Sequence, residues 1–154
     1  MKKLIKHILR RFGWKLIKIQ KPPRPHPYGK LNLEALNCMN KATGIMHLGG
    51  HRGNEAEVYN WFGKKAIWFE AIPDYFQHLK EHLYFYTTQK AYCALLGDSD
   101  NIEKTFYVSN YDGGFSSIFN FSKESLNQVY WPENKLKVDK KLNLKMSKLD
   151  TILK

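Results

Sequence analysis

A chain of 154 residues that is 43% hydrophobic and 14% aromatic has enough apolar material for one domain with a core plus an appendage, which excludes global disorder. The net charge of +11 is unevenly spread, because ten of the 25 lysines and arginines fall in residues 1–30 without a single acid, leaving 15 basic against 14 acidic residues for the rest. The body is therefore nearly neutral, and a nucleic-acid footprint across the whole domain is not supported.

Residues 2–19, KKLIKHILRRFGWKLIKI, place Leu4, Ile5, Ile8, Leu9, Phe12 and Leu16 at helical spacing, with seven lysines and arginines on the other positions. An apolar stripe flanked by cations predicts a helix lying on an anionic membrane surface; packing on the body and binding of nucleic acid are the competing readings. Four prolines between Pro22 and Pro27 predict an extended linker over 21–30, since proline fixes φ and lacks a backbone donor. The expected organisation is a basic amphipathic helix over 1–20, the linker over 21–30, and an α/β domain over 31–154.

From residue 31 the pattern becomes that of an α/β protein. Residues 31–40 predict a short helix. GIMHL (44–48) is an apolar run followed at once by GGHRG, and residues 54–62 predict a helix with Ala56, Tyr59 and either Trp61 or Phe62 facing inward. KAIWFEAI (65–72) is apolar on both faces, as a strand inside a parallel sheet must be. Pro73 opens the next helix, where its missing N–H costs nothing, and Ile72, Phe76, Leu79 and Leu83 mark that helix's buried stripe. AYCALLG (91–97) predicts a third buried strand. Strand and helix in alternation predict a Rossmann-like parallel sheet with strand order 3-2-1, its first strand at an open edge that invites a homodimer. TFYVS (105–109) and LKVDKKLNLKM (136–146) alternate like partly exposed strands around an Asp112-Gly113-Gly114 turn and an irregular stretch through Trp131-Pro132, which predicts an antiparallel addition.

The chemistry is concentrated in the first strand, its glycine turn and the acid ending the second strand. Gly49, Gly50 and Gly53 lie between strand and helix, where glycine lets the backbone turn sharply and approach a ligand. Glu70 follows Gly50 by 20 residues, the spacing at which an acid accepts hydrogen bonds from ribose hydroxyls in doubly wound folds. A ribose-bearing cofactor is expected. The dinucleotide fingerprint GxGxxG fails at Leu48, and no Lys-Ser or Lys-Thr follows the turn as a P-loop requires. S-adenosylmethionine (SAM) needs fewer close backbone approaches, having no pyrophosphate.

Other candidates have plainer readings. His47 and His51 are expected as turn histidines bonded to backbone rather than metal ligands, and His78 and His82 as a solvated helical face. Cys38 and Cys93 are expected as buried free thiols in a reducing compartment, without a neighbouring base to make a nucleophile of Cys93. Asp98 is expected to cap a turn. Ser116 and Ser117 are either hairpin serines or neighbours of the site. With no apolar run near the ~20 residues of a transmembrane helix and no secretory signal, the expected location is the cytoplasm, peripheral at the inner membrane surface if the arm binds lipid.

HLGGHRGNE, IWFEAIP, ALLGDSD, FYVSN, GFSSIF and SKLDTIL, in this order and spacing, resemble the segments of FkbM-type SAM-dependent methyltransferases over roughly residues 40–153. The resemblance implies a class I methyltransferase fold and O-methylation of a sugar or related hydroxyl. It implies that Gly49, Gly50, His51 and Gly53 line the methionine part of SAM, with His47 where most of the family has aspartate. It places Glu70 on the ribose, Ala71 and Ile72 beside the adenine, and Leu95 and Leu96 over its other face. It further implies that Lys154 falls just after the cofactor-binding half, so that the base and much of the acceptor site belong to a following segment. A non-catalytic nucleotide-binding or assembly module is the alternative.

Overall fold

A computed structural model of the chain describes residues 33–122 and 136–154. The helix and linker expected over 1–30 and the stretch through Trp131-Pro132 lie outside the described residues. The chain divides into two units, Met1–Lys41 and Ala42–Lys154. The first holds helix α1 (Leu33–Lys41). Among the described residues no helix is long and apolar enough to cross a membrane.

In the second unit, β1 (Ile45–Leu48), β2 (Ala66–Glu70) and β3 (Gln89–Cys93) form a parallel sheet ordered β1-β2-β3. The expected 3-2-1 names the same neighbours from the opposite edge. Helices α2 (Ala56–Trp61) and α3 (Pro73–Leu83) make the two crossovers. Both pack on one sheet face: Ala56, Leu79 and Leu83 bury against Ala66 and Trp68, with Ile45, Tyr59, Tyr86 and Ala91 at the margin. Inside this layer Trp68 Nε1 donates to Gln89 Oε1 (2.9 Å) while Gln89 Nε2 donates to the Ala56 carbonyl (2.7 Å), so a buried amide ties β2 and β3 to α2 at no cost in unmet polar groups. Trp61 does not face inward; it is 87% exposed, because α2 ends there and Ala56 and Tyr59 already occupy its core face.

AYCALLG is not one strand. The chain breaks at Ala94, whose N–H donates to the Glu70 carbonyl (2.9 Å), and Leu95–Leu96 (β4) leaves the first sheet to run parallel to β6 (Val138–Ser147). β6 also pairs antiparallel with β5 (Glu103–Ser109), giving a second, mixed sheet ordered β4-β6-β5. Its core joins Leu95, Phe106, Val108 and Met146 to Ile72, the residue that opens α3. A short helix, α4 (Leu149–Ile152), follows, fixed by Asp100: one carboxylate oxygen accepts the Lys148 N–H and the other the Thr151 hydroxyl, both at 2.8 Å. These bonds hold the Asp100 carboxyl below its usual range. Both cysteines are exposed, not buried. Cys93 is the last residue of β3, where the sheet gives way to the Ala94 break.

The glycine turn is shaped by packing as much as by conformation. A Cβ on Gly50 would lie 2.9 Å from Leu79 Cδ2 and 3.1 Å from the Trp68 ring, and one on Gly53 would lie 2.7 Å from Leu79 Cδ1. Gly53 also needs a left-handed φ of 75°. Gly49 shares the left-handed φ (74°) but faces open space. Gly53→Ala therefore adds an overpacking cost to the backbone strain, about 2–4 kcal/mol together, whereas Gly49→Ala carries only the strain of about 1 kcal/mol. Urea unfolding of the two variants is expected to rank them in that order; equal losses would contradict a packing role for Gly53.

Candidate functional site

The carboxyl ends of β1 and β2, the entry to β4 and the 111–116 segment enclose a cleft of about 520 Å³. Of the residues expected to hold a cofactor, Gly49, His51, Glu70, Ala71, Ile72, Leu95 and Leu96 line it. His47, Gly50 and Gly53 do not. Side chains alternate along a strand, so His47 projects to the helix-covered face of β1, where it stacks on Trp68 (4.3 Å between ring centres) with Nδ1 2.9 Å from the Tyr59 hydroxyl. It is a packed strand histidine, not a turn histidine. Gly50 and Gly53 turn toward Leu79 instead of the cleft.

Glu70 organises the cleft. Its side chain is buried (6% exposed), and each carboxylate oxygen accepts a backbone N–H: Oε2 from His51 at 2.7 Å, Oε1 from Ile72 at 2.8 Å. One bond ties down the turn after β1 and the other the start of α3. The three glycine amides of the turn are bonded as well, Gly49 and Gly50 both donating to the Phe69 carbonyl (2.9 Å) and Gly53 to the Gly50 carbonyl (2.8 Å). The cleft thus offers a carboxylate with spare lone pairs, and the glycine turn does not offer a row of free N–H groups of the kind that cradles a phosphate.

The opposite wall comes from the turn after β5. Ser117 pairs with Tyr107 through two backbone hydrogen bonds (2.7 and 3.1 Å), folding 111–116 back over the cleft. Asp112 then meets the glycine turn. Its carboxylate accepts both Arg52 guanidinium nitrogens at 2.8 Å, its carbonyl accepts His51 Nε2–H at 2.8 Å, and Tyr75 Oη donates to Oδ1 at 3.3 Å. His51 (φ 48°) and Asp112 (φ 51°) both adopt the left-handed conformation, which these cross-turn bonds hold in place. Arg52 and Asp112 are about half exposed, so their attraction is screened by solvent; the bidentate geometry sets position more than stability. Burial first, then the Asp112 carboxylate, pushes the Tyr75 hydroxyl above its ordinary range and keeps it a donor.

Sequence reasoning missed Tyr75, Phe106, Tyr111 and Asp112 as lining residues. The glycines after Asp112 signalled a turn, yet nothing in the sequence says that a turn 60 residues from Arg52 closes on it. Ser116 lines the cleft, its hydroxyl accepting the Ser109 N–H at 3.1 Å, whereas Ser117 serves the backbone pairing. Asp98 does not line the cleft and accepts the Ser99 hydroxyl. His82 is half-buried with its Nδ1 2.9 Å from the Arg52 carbonyl, and His78 is exposed. Among the described residues no group of three or more His, Cys, Asp and Glu side chains is placed to hold a metal ion.

Fold and site together define an α/β protein with a carboxylate-floored cleft at the carboxyl ends of its parallel strands. Compared with protein-family models, curated proteins and solved structures, the chain matches none.

Two titrating groups report on this neighbourhood. Partial desolvation of the thiol at the end of β3, then the nearby Glu70 charge, raises Cys93 above its ordinary value although the residue as a whole is exposed. Burial lowers His47 below 6.5, although Glu55 and Glu70 pull the other way. With the folded pKa depressed, the unfolded chain binds the proton first. The neutral imidazole's contribution is thus whole above 6.5 and is lost as pH falls to the depressed value. His47→Phe keeps the stack on Trp68 and removes the titration, so its melting temperature is expected to fall less than the parent's between about pH 7 and about pH 5. Parallel pH profiles would contradict this.

Proposed function

We propose that this chain binds SAM in the Glu70 cleft in the manner of an FkbM-type methyltransferase, a class I, Rossmann-like enzyme that O-methylates a sugar or related hydroxyl. The observation that carries this reading is the convergence on one cleft of seven residues that the family resemblance assigns to the cofactor, around a buried carboxylate. A turn whose Gly49, Gly50, His51 and Gly53 amides are already bonded favours a ligand without pyrophosphate, which supports SAM over a dinucleotide.

Glu70 fits ribose because each of its oxygens keeps a lone pair after accepting one backbone N–H, enough for two vicinal hydroxyls. Ala71, Ile72, Leu95 and Leu96 give the apolar walls that a flat adenine needs, and Ile72 and Leu95 belong to the core of the second sheet, which makes those walls rigid. Gly49 and His51 border the methionine end, and Gly49 leaves room there, since nothing stands within 4 Å of its absent side chain. SAM, held by Glu70 at its ribose and bordered by Gly49 and His51 at its methionine end, would supply a methyl activated by sulfonium for an acceptor hydroxyl. What these residues contribute is alignment and exclusion of water. The volume of the cleft lies within the range of small-ligand sites.

Titration calorimetry of the full chain with SAM, S-adenosylhomocysteine and NAD tests the reading. The first two are expected to bind in the micromolar range and NAD not at all, and Glu70→Ala, with unchanged circular dichroism, is expected to weaken SAM by about tenfold to a hundredfold. No SAM or S-adenosylhomocysteine binding at millimolar concentration by folded protein would instead favour an assembly module, and tight binding of NAD a dinucleotide site.

A further inference from the structure

The end of the parallel sheet opposite the cleft carries three large aromatic side chains with almost no protein around them: Trp61 is 87%, Tyr84 80% and Phe85 78% exposed. They are close together by construction of the fold. Trp61 closes α2 and Tyr84 follows α3, both helices pack on the same sheet face, and the loops that leave them are joined by a hydrogen bond from Ala66 N–H to the Thr88 carbonyl (3.3 Å). Tyr84 and Phe85 meet edge to face, 5.4 Å between ring centres. Beside them runs a groove of about 430 Å³ along the β3 edge, floored by Phe76, Leu83 and Tyr92 and rimmed by Lys80 and Lys90. Lys65 is exposed in the loop after Trp61, and Lys64 extends to the Ala42 carbonyl. The acids of the same helices are Glu57, in the first turn of α2, Asp74, in the first turn of α3 and paired with Lys140, and Glu81, which accepts a hydrogen bond from the Gln77 amide.

We propose that this end of the domain is a lipid-binding surface that rests on an anionic bilayer, with Trp61, Tyr84 and Phe85 inserted at headgroup depth. Exposed aromatics in isolation are ordinary surface, but three at one end, ringed by Lys65, Lys80 and Lys90, combine apolar area with positive charge as interfacial anchors do. The groove between Lys80 and Lys90 suits an anionic headgroup at its rim with acyl chain on its aromatic floor. This inference is independent of the SAM reading and of the N-terminal arm. The cleft, at the far end of the strands, then faces away from the bilayer.

The test uses the full chain with Trp14→Phe and Trp131→Phe, leaving Trp61 and the buried Trp68 as the fluorophores. Vesicles contain phosphatidylcholine, with and without about one third phosphatidylglycerol, and carry brominated acyl chains. On anionic vesicles, Trp61 emission is expected to shift to the blue and to be quenched, and further replacement of Trp61 by Ser is expected to abolish the quenched component. Tyr84→Ser with Phe85→Ser, in protein with unchanged circular dichroism, is expected to lower vesicle partition about tenfold. Protein that pellets with vesicles while Trp61 stays unquenched would place the contact in the arm alone and overturn the proposal. Failure to pellet would overturn it as well, as would a dimer in solution that the Tyr84→Ser, Phe85→Ser pair dissolves while neither form binds vesicles.

Discussion

A buried carboxylate is costly unless its oxygens are hydrogen-bonded, and in this protein that condition ties two parts of the chain to one side chain. Glu70 accepts the N–H of His51 from the turn after β1 and the N–H of Ile72 from the start of α3, while its own carbonyl accepts Ala94 at the exit from β3. Charge-assisted bonds of this kind are each worth about 1.5–3 kcal/mol. Their larger effect here is geometric. The turn after β1 can curl onto the carboxylate only if it comes close to α3, and it comes close because Gly50 and Gly53 leave space for Leu79. The glycines and the acid are one device, with the glycines serving the packing and the acid facing the cleft.

The second sheet completes the site because the chain changes partners at Ala94. Had residues 91–96 continued as one strand, Leu95 and Leu96 would have extended the first sheet. By turning onto β6 they instead carry the core of the second sheet to the mouth of the first, next to Ile72. The segment after β5 folds back through Ser117 and sets Asp112 against Arg52, closing the side of the cleft that the parallel strands leave open. Two sheets and two turns thus meet around one acid.

Much of this was legible in the amino-acid order. The doubly apolar KAIWFEAI could only be a strand covered on both faces, and Pro73 marked the start of α3 because only a helix's first turn tolerates its missing donor. Glu70 stood out as an acid at the end of an apolar run. What could not be read depends on contacts made over long sequence distances. AYCALLG is apolar throughout, and an apolar run does not say which strand it will pair with, so the break at Ala94 left no trace. Trp61 is hydrophobic and falls near the inward stripe of a helix too short to fix its phase. Cys93 shares the composition of a core residue but sits where the sheet ends. His47 adjoins the glycine turn in sequence, although strand alternation sends it to the helix-covered face. The pairing of Asp112 with Arg52 rests on the fold-back of a turn and has no local signature at all.

Amide hydrogen exchange, resolved residue by residue by NMR, tests the organising role of Glu70 most directly. In the parent protein the His51 and Ile72 amides are expected to exchange far more slowly than those of an open turn. In Glu70→Gln one of the two loses its acceptor, because the Gln side chain offers one oxygen and sets an N–H against the other donor, so that amide is expected to exchange at least about tenfold faster. Rapid exchange of both amides in the parent, or unchanged protection of both in Glu70→Gln, would contradict the account.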